Sequence, residues 1–271
     1  MTAWALLLEY DGGPFVGWQR QAEGLTVQGV LEAAAARLSG GTPTSSVVAG
    51  RTDTGVHAAG QVAMLALPDG LVAGKVRDAL NFHLRPHPVT VLHAVPAPPD
   101  WNPRFSATGR AYAYRILNRR APPALDRGRV WHVDRRLDAA AMVEAAALLV
   151  GHHDFSSFRA TACQANSPLR TLDRLTVSRH GDVIEIVAEA RSFLHHQVRN
   201  MAGTLKLVGE GRWRPAQVAA ALAARDRRAG GPTAPPDGLT LLRVSYPQDP
   251  FAVPAQHGPA TERTPAAPSP S

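Results

Sequence analysis

One cysteine and two lysines are all that this chain of 271 residues contains of those types, Cys163, Lys75 and Lys206. A lone cysteine excludes a disulfide within the chain and any zinc site built on cysteines, and it agrees with a reducing cytoplasm. No apolar run approaches the length of a membrane span. The first residues lack the basic start, apolar core and cleavage site of a secretory signal, so a cytoplasmic protein is expected. No G-x-G-x-x-G follows a strand and there is no P-loop, which removes the usual signs of a dinucleotide or nucleoside triphosphate. The scarcity of lysine makes the basic surplus an arginine surplus. Lys plus Arg exceeds Asp plus Glu by 29 to 22, a net charge of +7. That balance suits a polyanionic partner. GC-rich coding enriches arginine and alanine as well, so the arginine count by itself carries little weight.

The length allows one large or two moderate domains, and 45% hydrophobic content fits a globular fold. Residues 3–10 read as a buried strand and Asp11-Gly12-Gly13-Pro14 as a turn. Thr26 is placed to cap a helix whose apolar face is Val27, Val30, Leu31, Ala34 and Leu38, ending before Gly40-Gly41. A second helix is expected over 72–83 and a strand over 89–97, followed by a linker. The second half repeats the scheme: a strand over 109–118, an alanine-rich helix over 138–150, a hairpin of 172–179 with 183–190, a helix over 192–208, a short helix after Pro215 and a closing strand over 239–246. Periodicity therefore supports an α+β protein of two similar halves, 1–103 and 104–247. Residues 248–271, rich in Pro, Ala, Thr and Ser, read as a disordered tail dispensable for catalysis.

The most informative stretch is GRTDTGVHAAGQVA, residues 50–63. Glycines on both sides present Asp53 at a loop tip, with Arg51 near enough to act as its charge partner. An isolated aspartate in such a loop ordinarily caps its own backbone; Arg51 and His57 set this one apart. Tyr112 and Tyr114 alternate on a strand and so share one sheet face. His195, Arg199 and Lys206 follow one another along one face of the 192–208 helix. His195 and His196 lack a third ligand at zinc spacing, and neither they nor His152-His153-Asp154 read as a metal site.

The loop resembles the catalytic loop of the TruA-type tRNA pseudouridine synthases, with Thr54 where alanine is usual. The likeness extends in order through LLLEYDGGPFVGWQRQ (6–21), TVQGVLEAA (26–34), RFSATGRAYAYRIL (104–117), RSFLHHQVRNMAG (191–203) and GLTLLRVSYP (238–247). It implies a pseudouridine synthase fold: two ferredoxin-like halves sharing a mixed, mainly antiparallel central sheet, with a cleft between them. It also implies isomerisation of uridine to pseudouridine at positions 38–40 of the tRNA anticodon stem-loop, by a homodimer without cofactor or metal. Asp53 and Arg199 become the catalytic candidates, with Tyr112 stacking on the target base and Arg51, His57 and Arg110 at the substrate. Arg20 and Lys206 join them as candidate phosphate contacts. Two other readings stay open on the residues alone: a catalytically silent RNA-binding protein, and an aspartate-nucleophile glycosidic hydrolase, which needs a second carboxylate.

Overall fold

The computed structural model describes residues 1–252; the expected tail lies, from residue 253 onward, outside the described residues. In chain order the elements are β1 (Thr2–Tyr10), α1 (Val27–Leu38), β2 (Val47–Val48), β3 (His57–Leu67), α2 (Ala73–Leu84), β4 (Val89–Pro96), β5 (Gly109–Leu117), β6 (Trp131–His132), α3 (Ala139–Ala147), β7 (Gly151–Asp154), β8 (Leu169–His180), β9 (Val183–Ala190), α4 (Gln197–Gly209), α5 (Pro215–Ala224) and β10 (Leu239–Ser245). Among the described residues, no helix is long and apolar enough to cross a membrane.

One sheet runs through the molecule in the order β4-β1-β3-β10-β5-β9-β8-β7, with the short β2 pairing with β3 and β6 with β5. Most pairings are antiparallel, as expected of this α+β class. The sheet is mixed, as the resemblance implies, because β10 runs parallel to β3, placing Thr240 opposite His57 and Leu241 opposite Ala58. On its other side β10 is antiparallel to β5, with Leu241 opposite Tyr112. Without β10, β3 and β5 would each present an unpaired edge of N–H and C=O groups. The last strand of the chain thus welds early and late segments at the middle of the sheet.

Two cores flank that weld. One gathers Trp4, Leu6, Leu8, Leu31, Leu65, Val76 and Leu80 beneath α1 and α2; the other gathers Tyr114, Ile116, Phe155, Phe158, Ile184, Ile186, Met201 and Leu205 beneath α3, α4 and α5. Each fully buried aliphatic or aromatic side chain contributes about 1.5–3 kcal/mol. Tyr112 packs against both cores. It therefore stands at the junction of the two halves.

Local chemistry explains the element boundaries. The Thr26 hydroxyl accepts from the Gly29 N–H at 3.1 Å and starts α1 as expected. Asp138 caps α3 in the same way, through Ala141 N–H. The helix expected over 192–208 starts five residues late. His196 sits in the left-handed region at φ 61°, which no helix accommodates, and the Gln197 side chain accepts the Leu194 N–H at 2.9 Å. Residues 191–196 form a bent approach to α4 instead. Strand β7 was not anticipated: α3 ends early, and Gly151, at φ 114°, redirects the chain into the sheet edge.

Candidate active site

Asp53 rides on the loop between β2 and β3, and that loop is clamped from below. Thr52 bonds through its hydroxyl to Tyr10 Oη at 2.8 Å and through its carbonyl to the Trp18 N–H at 3.0 Å. Gln61, wholly buried, donates to Gly50 O at 2.8 Å and to Tyr10 Oη at 3.2 Å. The Val56 N–H returns to Asp53 O at 3.1 Å and closes a tight turn at the tip. The Gly17 turn abuts this loop so closely that a Cβ there would lie 2.9 Å from Thr52 O, and its φ of 106° favours glycine as well. With its backbone so fixed, Asp53 turns its carboxylate upward, 29% exposed.

The groups that meet this carboxylate come from the far half of the chain, at the start of α4. His195 Nε2 lies 3.3 Å from Oδ1, His196 Nε2 3.4 Å from Oδ2, and Arg199 Nη1 3.9 Å from Oδ2. The N-terminal end of α4 thus adds its partial positive charge to the three side chains. Arg199 is held in turn by a strap, residues 230–236. Its Nε donates to Ala234 O at 2.8 Å, and Ala234 N–H donates to Arg199 O at 3.1 Å. Burial lowers the Arg199 pKa from its ordinary value, and Asp53 opposes the shift. His196 is likewise lowered, first by burial, with His195, Arg199 and Arg227 adding to the effect against Asp53.

Tyr112 stands beside the group on β5, half-buried, its ring edge-on to Phe193 with centroids 5.3 Å apart. Its hydroxyl reaches the Asp53 loop, where it would lie 4.0 Å from a Cβ added at Gly50. Burial raises the Tyr112 pKa, with Tyr10 and Asp53 adding to it, so the phenol stays neutral throughout the ordinary pH range.

The remaining expected site residues divide. Arg51 is exposed, and the nitrogens within ion-pair distance of Asp53 among the described residues belong to His195, His196 and Arg199; Arg199, not the nearby Arg51, is the arginine at the carboxylate. Arg110 does not reach outward. It donates to Ala49 O and Arg191 O at 2.6 Å each and to Arg104 O at 3.1 Å, tying the Asp53 loop to the approach of α4. His57 is buried, accepting from Gly12 N–H at 3.0 Å through Nδ1 and lying 2.9 Å from Gly128 O through Nε2. Arg20 pairs with the buried Glu32 at 2.7 Å. Lys206 pairs with Glu210 at 2.6 Å and lies over the Trp131 ring. The histidine pair is the feature that sequence reasoning passed over. The third donor judged absent is Asp53 itself, and the ligand atoms of all three residues lie within 4.8 Å of one another.

A sequence model of tRNA pseudouridine synthases matches residues 7–106 and 145–247. The tRNA pseudouridine synthase A of Acidiphilium cryptum is 70% identical over 252 residues, covering 93% of this chain and 99% of its own. That of Paramagnetospirillum magneticum is 61% identical over 246 residues, covering 91% and 96%. That of Rhodospirillum rubrum is 58% identical over 258 residues, covering 95% and 92%. With matches spanning both the Asp53 loop and the start of α4, this chain belongs to the tRNA pseudouridine synthase family.

Proposed function

We propose that this tRNA pseudouridine synthase isomerises uridines 38–40 of the anticodon stem-loop, with Asp53 as its nucleophile and no cofactor. One observation carries the reading: a partly exposed carboxylate on a clamped loop, met by Arg199 from the opposite half and with Tyr112 beside it. A protein that only binds RNA gains nothing from a carboxylate presented to a polyanion.

The reaction breaks the N1–C1′ bond, turns the uracil and rejoins it through C5. It involves no net redox change, so side chains suffice. Asp53 can begin it by attacking C1′ or assisting loss of the C2′ proton, or by adding to C6 of the pyrimidine. Either route needs the target nucleotide extruded from its stem-loop and held against a platform. Tyr112 supplies that platform. As a neutral phenol it is poorly suited to accept the C5 proton, so stacking is assigned as its principal role. Arg199 orients Asp53 and offsets its charge beside the RNA. Arg51, exposed at the same loop, remains the candidate phosphate contact, whereas Arg110 and His57 hold the loop from within. In this reading the halves 1–103 and 104–247 close on the RNA from either side, and the working enzyme is a cytoplasmic homodimer.

The test is tritium release from C5-labelled uridine in tRNA, compared with Asp53→Asn. Isomerisation releases tritium without free uracil, and the variant should retain less than a few per cent of the wild-type rate. Free uracil would instead indicate a hydrolase, and neither product a silent binder. Site mapping on the same tRNA checks positions 38–40, and sedimentation checks the dimer.

A further inference from the structure

We propose that Asp53, His195 and His196 together form a three-donor site for a borderline divalent cation of the Zn²⁺ class, and that its occupancy shuts the active site against RNA. The inference rests on the catalytic reading of Asp53 only in its second half; the site itself stands on geometry. A tetrahedral zinc ion with bonds of about 2.0–2.1 Å places neighbouring donor atoms about 3.3–3.4 Å apart. The two imidazole-to-carboxylate separations are 3.3 and 3.4 Å, one to each carboxylate oxygen. Both histidines turn Nε2 toward the Asp53 carboxylate, one to each oxygen, and their ring centroids lie 4.0 Å apart at an interplanar angle of 43°. The remaining edge, between the two imidazoles, falls within 4.8 Å, and a modest ring rotation closes it.

The backbone holds this arrangement in advance. His196 occupies the left-handed region immediately before α4, so the two consecutive side chains meet one carboxylate instead of diverging by about 100° as they would within a helix. The Asp53 loop is fixed by the Thr52 and Gln61 bonds already described. All three residues keep 27–41% of their side-chain surface open, which leaves a path in and a fourth position for water.

Two nitrogens and one carboxylate oxygen favour Zn²⁺ or Co²⁺ over Mg²⁺ and Ca²⁺, which take all-oxygen shells. Arg199, 3.9 Å from the same carboxylate, opposes the cation. Binding should therefore be reversible and weaker than at a closed structural site. A bound cation engages the lone pairs Asp53 needs for attack and covers the open face that the nucleotide must reach. Release of the cation restores both.

The experiment uses the full chain freed of metal by chelation. Titration with Co²⁺ should bring up the visible absorption of a tetrahedral N/O site, saturating at one equivalent, and Zn²⁺ should displace it in a calorimetric titration. Asp53→Asn, His195→Gln and His196→Gln should each weaken Zn²⁺ at least about tenfold. The glutamines keep bulk at each position, and circular dichroism confirms folding. Zn²⁺ should suppress tritium release from C5-labelled tRNA, a chelator should restore it, and Mg²⁺ at equal concentration should leave it unchanged. Absence of saturable Co²⁺ absorption overturns the proposal, as does binding that all three substitutions leave intact. Full tritium release at saturating Zn²⁺ overturns its inhibitory half. An enzyme inactive on tRNA without metal would instead count against the pseudouridine reading, because the absorption and calorimetric signals do not depend on turnover.

Discussion

Gly203→Ala sets two physical effects of opposite sign against each other. Gly203 lies inside α4, and in an open helix the change to alanine stabilises by about 0.8–1 kcal/mol. Here the new Cβ would overlap Pro232 O and lie 2.9 Å from Pro232 C and 3.3 Å from Ala234 N. These are backbone atoms of the strap, which cannot rotate away. The strap is pinned on both sides of the collision, by Gly231 N–H to Thr204 Oγ1 at 3.0 Å and by Thr233 Oγ1 to Asn200 Oδ1 at 2.6 Å. Overpacking of this kind costs about 1–3 kcal/mol. Retreat of the strap also breaks the 2.8 Å bond from Arg199 to Ala234 O, a charged hydrogen bond contributing about 1.5–3 kcal/mol. The clash wins, and a net loss of about 2–5 kcal/mol is expected. At about 2–4 °C per kcal/mol for a chain of this size, Tm should fall by roughly 5–15 °C. Since the lost bond orients Arg199, kcat for tritium release should fall at temperatures where the variant is still folded. Gly209→Ala is the control in the same helix. Its new Cβ would meet the flexible Met142 Sδ at 2.7 Å, which can swing aside, and Leu137 Cβ at 3.2 Å, so the change should stay within about 1 kcal/mol. Calorimetry on both variants decides. A Tm for Gly203→Ala equal to or above wild type, with kcat intact, would mean that the strap yields freely and does not position Arg199.

Three further variants separate the roles of neighbouring side chains. Arg199→Lys keeps a charge but loses the fork spanning Ala234 O and Asp53, so kcat should fall on the order of 10–100-fold with KM changed only a few-fold; unchanged kcat with weaker, less salt-sensitive tRNA binding would make Arg199 a phosphate contact. Arg110→Gln removes bonds to three carbonyls and should lower Tm while leaving the slope of log affinity against log salt unchanged; a slope shallower by about 0.7–0.9 would instead identify a lost phosphate contact. Tyr112→Phe keeps the ring and its Phe193 contact, so tritium release should remain within about tenfold of wild type; a loss of about 10²–10⁴ would restore the hydroxyl as a proton acceptor.

Elements whose patterns are local were legible before the fold was known. The α1 face and its Thr26 cap, the Tyr112 strand and the 183–190 arm of the hairpin all appear where alternation, helical period or capping places them. The errors cluster where a single backbone torsion overrides periodicity. Residues 192–196 continue an apolar-polar rhythm compatible with α4, yet His196 at φ 61° breaks it, and the modest enrichment of histidine at positive φ does not single out that position. The resemblance implies a mixed sheet, but not that its parallel pair is β10 with β3. That pairing depends on which edges two distant segments leave unpaired, a property of the assembled sheet.

At the site, the arginines show the same division between local and assembled information. Arg51 lies two residues before Asp53 and faces solvent; Arg199 lies far along the chain and faces the carboxylate. Residues two apart on a regular extended backbone point to one side, so spacing alone favours Arg51; the assembled fold brings Arg199 to the carboxylate instead. Arg110, one residue from a strand end, offers the same donors as any phosphate ligand, but three carbonyls converge on its guanidinium. The histidine pair failed the search for metal spacing because such motifs record ligands that are close in sequence. Its third donor arrives across the junction that β10 closes, on a loop whose aspartate had already been assigned to other chemistry. Carboxylate and histidine pair lie more than 140 positions apart in sequence, and only the fold brings their ligand atoms within 4.8 Å of one another.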